Sequence, residues 1–254
     1  MGKIVSIANQ KGGVGKTTTC VNLCCALTKL GKKVLLCDMD PQANCTSGMG
    51  VNKNTVRTSI YDVLINGVSA ASSAVKTKYG DIIPSNKALS GAGIELVMMD
   101  DREYVLKKAL SELKNVYDYI FIDCPPSLEM LTLNALVASD TILIPVQCEY
   151  FALEGLSDLM TTIKMVKKRL NPELDIEGVL LTMYDSRTNF SSQVAGEVKK
   201  YFKDKVYHVA VPRNVRLSEA PSHGKPVIEY DRSSKGSAAY LELSREFLKR
   251  NNDE

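Results

Sequence analysis

One stretch near the N-terminus constrains the fold more than any other. Lys3 to Ala8 is a short apolar run, Gln10-Lys11-Gly12-Gly13-Val14-Gly15-Lys16-Thr17-Thr18 follows it, and a segment of helical apolar period runs from Lys16 to Leu30. Strand, glycine loop and helix in that order form the context that a phosphate-binding loop requires. The glycines allow backbone N–H groups to converge on phosphate oxygens, and the helix N-terminus adds partial positive charge. Lys16 is placed to reach the β- and γ-phosphates, and the Thr17 hydroxyl to ligate Mg²⁺. The general pattern wants glycine at position 10, where this chain has Gln10, and an extra cation, Lys11, stands just ahead of the glycine pair.

The rest of the chain keeps the same alternation. Short apolar runs at 3–8, 33–38, 81–84, 119–123, 141–146, 178–183 and 206–210 are separated by helical patterns at 16–30, 59–65, 101–113, 129–138, 153–170, 191–202 and 235–249. Few of the runs alternate in polarity, as expected of strands covered on both faces. The spacing predicts an α/β fold of the P-loop NTPase type, a mostly parallel twisted sheet with helices on both faces. With 44% hydrophobic and 24% charged residues and no Pro/Ser-rich linker, residues 1–254 read as a single domain. The Gly/Asn/Thr-rich excursion from Pro41 to Thr58 reads as a functional loop over a ligand. Met98 and Met99 end an apolar stretch and are expected in the core.

Seven cysteines without C-x-x-C spacing read as small core residues of a reducing cytoplasm. Met1 to Ser6 fits the loose myristoylation pattern, but Gly2 sits one residue before a strand, so the match is taken as chance. His208 and His223 have no acidic or cysteine cluster at ligand spacing. Net charge is only +3, but Arg187 to Arg250 holds 13 basic against 7 acidic residues, and this asymmetry points to an anionic partner.

Two acidic segments follow apolar runs. Val34-Leu-Leu-Cys-Asp38-Met-Asp40-Pro-Gln42 and Tyr119-Ile-Phe-Ile-Asp123-Cys-Pro-Pro126 place carboxylates at the strand ends where open α/β sheets bind ligands. Asp123 matches the Mg²⁺-supporting acid of nucleotide hydrolases. Asp38 is open between a site role and a loop hydrogen bond.

Together these three segments resemble the deviant Walker A, or ParA/MinD, ATPases. Leu181 to Asn189 and Pro212 to Pro226 narrow the resemblance to the chromosomal ParA (Soj) branch, over residues 1 to about 249. The resemblance implies ATP and Mg²⁺ as ligands and an ATP-dependent face-to-face homodimer, with Lys11 reaching the partner's nucleotide and Gly12 at the close approach of two backbones. It implies that Gly13, Val14, Gly15, Lys16, Thr17 and Thr18 hold the phosphates, that Thr17 binds Mg²⁺ and Asp123 supports it through water, and that Asp40 positions the attacking water. Lys11, Lys16 and Asp40 are thus the catalytic set, and Met183, Pro212 and Arg213 are expected at adenine. Arg187 and Arg216 match positions used for double-stranded DNA, with Lys199, Lys200, Lys203, Arg213 and Lys225 as neighbours. Without a helix-turn-helix or zinc signature, those contacts are expected to be to phosphates and non-specific. The further expectations are a ParB-type centromere-binding partner that stimulates hydrolysis and a cytoplasmic, nucleoid-associated protein that partitions chromosomes or plasmids.

Two other readings use the same loop. A MinD-like membrane switch wants a basic amphipathic C-terminal extension, whereas Phe247-Leu-Lys-Arg250 runs into the polar Asn251-Asn-Asp-Glu254, so no membrane partner is expected. An iron-sulfur reductase wants cysteines bridging an interface cluster, a spacing that Cys124 and Cys148 do not supply.

Overall fold

The computed structural model describes residues 1–149 and 152–253. Seven strands form one sheet: β1 Lys3–Ile7, β2 Val34–Asp38, β3 Val75–Thr77, β4 Gly80–Ile83, β5 Tyr119–Asp123, β6 Thr141–Gln147 and β7 Asp175–Thr182. Their order is β3-β4-β2-β5-β1-β6-β7, and every neighbouring pair is parallel except the short β3/β4 edge pair. The helices are α1 Lys16–Lys29, α2 Asn44–Gly48, α3 Ile60–Ile65, α4 Ala70–Ser73, α5 Leu89–Val97 and α6 Val105–Leu110. They continue with α7 Met130–Ala138, α8 Ala152–Arg169, α9 Asn189–Phe202, α10 Val215–Glu219, α11 Val227–Tyr230 and α12 Lys235–Arg250.

Side chains alternate across each strand, so the sheet feeds two cores. Val5, Ile7, Leu36 and Phe121 pack with α1, α11 and α12, whereas Ile4, Leu35, Ile120 and Ile142 pack with α3, α5, α6, α7, α8 and α9. Burial on both sides explains why the strands read as nearly continuous apolar runs. All seven cysteines are free and buried among these residues. The register sets Ile7 and Asp38 on either side of Asp123, which brings the carboxyl ends of β1, β2 and β5 together at one edge.

At the opposite edge the end of α12 is tied to the sheet. Asn251 Nδ2 donates to Glu177 Oε1 (2.8 Å), Tyr119 Oη donates to Asp253 Oδ2 (2.7 Å), and Lys32 pairs with Asp253 (2.7 Å). Gly2 is also engaged, its amide donating to Lys114 O (2.7 Å). Glu254, the last residue of the acidic tail, lies outside the described residues.

Two expectations are corrected. Residues 206–210 do not form a strand. Tyr207 N donates to Val179 O and Val211 N to Leu181 O (both 2.9 Å), but the Glu246 carboxylate of α12 captures the amides of His208 (2.9 Å) and Val209 (3.1 Å) between them, so no continuous ladder forms. Met98 is not in the core: Leu89, Ala92 and Leu96 mark the buried face of α5, and a residue two positions past Leu96 falls on the far side, where Met98 is 87% exposed. Met99 packs against the core as expected.

Candidate nucleotide site

The phosphate loop owes its shape to backbone positions only glycine adopts freely: Gly13 and Gly15 have φ of +75° and +91°. No side chain caps the N-terminus of α1, leaving its first N–H groups directed at the loop's concavity. Two side chains absent from the sequence expectations strap the loop down. Asn9 donates from Nδ2 to Pro145 O on β6 (2.7 Å) while its Oδ1 accepts the Lys11 amide (3.0 Å), and Thr182 Oγ1 at the end of β7 donates to Val14 O (2.8 Å). The buried Lys16 folds its Nζ onto Lys11 O (3.1 Å). Burial draws its pKa down, against the opposing pull of Asp123.

Beneath the loop lie the strand-end acids. Asp123 is fully buried; its Oδ2 accepts the Thr17 hydroxyl (2.7 Å), and its Oδ1 has no partner. Burial, reinforced by the neighbouring Asp38, pushes its pKa up to about 8. Burial also raises Asp38, to about 6, although three hydrogen bonds stabilise its charge: from Thr46 N (2.8 Å), Thr46 Oγ1 (2.6 Å) and Asp40 N (3.2 Å). These bonds make Asp38 a loop anchor. It pins α2 to β2, and Ser85 N donating to Thr46 Oγ1 (2.9 Å) extends the network to the segment after β4. Asp40, half-buried at the rim, accepts the Gln42 amide (2.8 Å) and is set by the turn that Asp38 holds.

These donors fit Mg²⁺ of one kind. Among the described residues no group of three His, Cys, Asp or Glu side chains converges as a protein cage. A hydroxyl at Thr17 and an orphaned carboxylate oxygen just below it suit an ion that keeps most of its waters and shares substrate phosphates.

Thr18, Met183, Pro212, Arg213, Leu217 and Tyr240 line a cleft of about 250 Å³ at the side of the loop, bringing the three expected adenine residues together. Tyr184 N donates to Val211 O (3.0 Å), which joins the two loops that wall it. Lys11 and Gly12 lie outside this enclosure. Lys11 Nζ pairs with Glu149 Oε2 (3.1 Å), and Glu149 also accepts from Gln147 Nε2. Among the described residues a Cβ on Gly12 would meet only Pro126 Cβ, at 3.9 Å. Arg187 is exposed on the first of those two loops and Arg216 on α10, which follows the second, and Lys199, Lys200, Lys203 and Lys225 are exposed as well. His223 stacks on Tyr230 at 4.9 Å.

A family model described as an AAA domain matches residues 2–176. The sporulation initiation inhibitor protein Soj of Bacillus subtilis is 58% identical over 97% of this chain and 98% of its own length. The chromosome partitioning protein ParA of Caulobacter vibrioides is 52% identical over 99% of this chain and 96% of its own. Among solved structures, a cobyrinic acid a,c-diamide synthase from Mycobacterium smegmatis with bound ADP and magnesium superposes with a TM-score of 0.87 at 37% identity, covering 99% of this chain and 96% of that one.

Proposed function

This chain belongs to the ParA/Soj family of chromosome-partitioning ATPases, and from that premise we propose that ATP with Mg²⁺ drives two copies into a face-to-face dimer that holds duplex DNA without regard to sequence, until hydrolysis releases it. The observation that carries this reading is the pairing of a half-buried Lys11 with an exposed Gly12 at the rim of the loop. Among the described residues nothing requires a glycine at position 12, since a Cβ there meets one atom at ordinary contact distance. A second copy closing over the loop supplies the missing reason, and it gives Lys11 a phosphate to neutralise.

Within each subunit the residues divide the work. The amides of Gly13, Val14 and Gly15 and the first turn of α1 bind the phosphates, with Lys16 leaving Lys11 O to neutralise the β/γ oxygens. Bound Mg²⁺ supplies charge neutralisation at the phosphates. Thr17 would hold it directly, and Asp123 would support it through water. Asp40 orients the attacking water, and Met183, Pro212 and Arg213 enclose the adenine. Residues 1–254 act as one unit.

DNA rather than lipid is the surface partner in this reading, met through Arg187 and Arg216. No helix among the described residues is long and apolar enough to cross a membrane. A ParB-type protein stimulates turnover, placing the cycle on the nucleoid in the cytoplasm.

The test is a titration of labelled duplex DNA with the protein in ATP, ADP or no nucleotide, alongside light scattering. Dimer and DNA binding should appear together and only in ATP, and log affinity should fall linearly with log salt. Binding to anionic vesicles but not to duplex DNA in ATP would overturn the reading.

A further inference from the structure

Both arginines of the proposed DNA surface are already engaged within the chain. Arg187 grips Asp185 with two parallel bonds, Nε to Oδ1 (2.9 Å) and Nη2 to Oδ2 (2.7 Å), and its amide donates to the same Oδ1 (3.1 Å). Arg216 is held twice, through Nη1 to Glu219 Oε2 (2.8 Å) and through Nε to Asp231 Oδ2 (3.1 Å). The acids are themselves oriented: Tyr230 Oη donates to Glu219 Oε2 (3.3 Å), and Ser233 donates to Asp231 Oδ1 from N (3.2 Å) and Oγ (2.8 Å). By contrast, Lys199, Lys203 and Lys225 form no ion pair with a described residue.

These pairs flank the cleft assigned to adenine. Asp185 stands two residues beyond Met183, and Asn214, which lines the cleft, caps α10 by accepting the Arg216 amide (3.0 Å). A guanidinium fork that fits a carboxylate bidentately fits a phosphate in the same way, so the two ligands compete for one set of donors.

We propose that Asp185, Glu219 and Asp231 are built-in competitors for nucleic-acid phosphate, occupying the Arg187 and Arg216 forks in the free subunit so that duplex DNA must displace them. The inference rests on the DNA-binding reading above and adds its regulation. A single chain offers DNA two arginines with their partners in place, so its affinity is low. Pairing doubles the number of forks on one surface, and the summed phosphate attraction then exceeds the local carboxylates.

An exposed ion pair of this kind shifts an equilibrium by a factor of about 1.5 to 5. For the two copies of Arg187 in a dimer, freeing both forks should tighten binding by about 2- to 20-fold. The experiment is fluorescence anisotropy of a labelled duplex with the full chain in ATP and Mg²⁺ at ~0.1 M salt, comparing the parent, Asp185→Asn, Arg187→Ala and the double variant. Asparagine keeps an oxygen for the Arg187 amide. Asp185→Asn should gain affinity in the parent background and gain nothing in the Arg187→Ala background. A gain of equal size in both backgrounds would mean that only net charge had changed, and that result, or no gain at all, overturns the inference while leaving DNA binding intact. Asp231→Asn with Arg216→Ala repeats the cycle independently should Asp185→Asn unfold. A parent that fails to bind duplex in ATP removes the DNA reading itself, and this inference with it.

Discussion

Replacing Asp123 with asparagine should stabilise the protein free of Mg²⁺ and nucleotide, and do so only above mildly acidic pH. Asp123 is fully buried beside Asp38, with one oxygen unpartnered and its pKa raised to about 8. Below about pH 4 the carboxyl is protonated in both folded and unfolded chains, and it contributes no pH dependence. As pH rises toward 8 the unfolded chain ionises freely while the folded chain keeps its proton, so the native state binds more protons and stability falls. Above 8 the folded chain must carry the buried charge, and the loss is complete. Removing one partner of a buried ion leaves a charge that costs about 3–5 kcal/mol. Lys16 is close enough to offset part of this, which makes about 3 kcal/mol a working figure for the gain in Asp123→Asn. At roughly 2–4 °C per kcal/mol for a chain of this size, the melting temperature should rise by about 6–12 °C at pH 8.5, against little change at pH 4.5. Asparagine keeps the oxygen that accepts the Thr17 hydroxyl, so the comparison isolates the charge. Thermal melts by circular dichroism with chelator present measure the difference. A difference independent of pH, or a parent more stable than the variant at pH 8.5, would refute the reasoning. Added ATP and Mg²⁺ should stabilise the parent and raise the variant much less.

Gly12→Val should leave the monomer's melting temperature within about 2 °C, given its open surroundings, and should retain ATP while failing to dimerise; light scattering that shows a normal dimer would count against the interface. Asp40→Ala should bind ATP but lose turnover by about 10²-fold or more, whereas Lys16→Ala should lose ATP affinity, and phosphate-release and nucleotide-binding assays separate the two. Gly178→Ala should destabilise by about 1–3 kcal/mol in urea unfolding, because its Cβ would lie 2.5 Å from Tyr207 Cε2 and 2.9 Å from Lys205 O.

The parts legible in the sequence are those where a local pattern and its tertiary role coincide. In the phosphate loop Gly13 and Gly15 are the residue type that their backbone demands, and Asp38 and Asp123 terminate apolar runs whose register then sets them side by side. What was not legible depends on distant partners. The apolar run at 206–210 has the composition of a strand, but a glutamate nearly 40 residues later takes its amides. Asn9 and Thr182 are ordinary polar residues until the fold brings Pro145 O and Val14 O within reach. The helix at Leu89–Val97 has a weak sequence signature because Gly91 and Gly93 lower its propensity and only Leu89, Ala92 and Leu96 carry its buried face. Thr46 gave no signal at all, since its function is to complete the hydrogen bonding of a buried acid eight residues before it.

The resting contact of Lys11 has a thermodynamic consequence for assembly. Its ammonium lies 3.1 Å from Glu149, with both side chains partly open to solvent. A partner's phosphate that recruits Lys11 takes it from an existing anion, so one ion pair is exchanged for another and the net enthalpy of the swap is small. Ionic strength weakens both sides of that exchange, so the lysine's contribution to the dimerisation constant should be less sensitive to salt than a newly formed pair would be. Association that rests on substitution rather than accumulation of charge contacts is shallow in free energy, which suits the proposed dimer that hydrolysis takes apart.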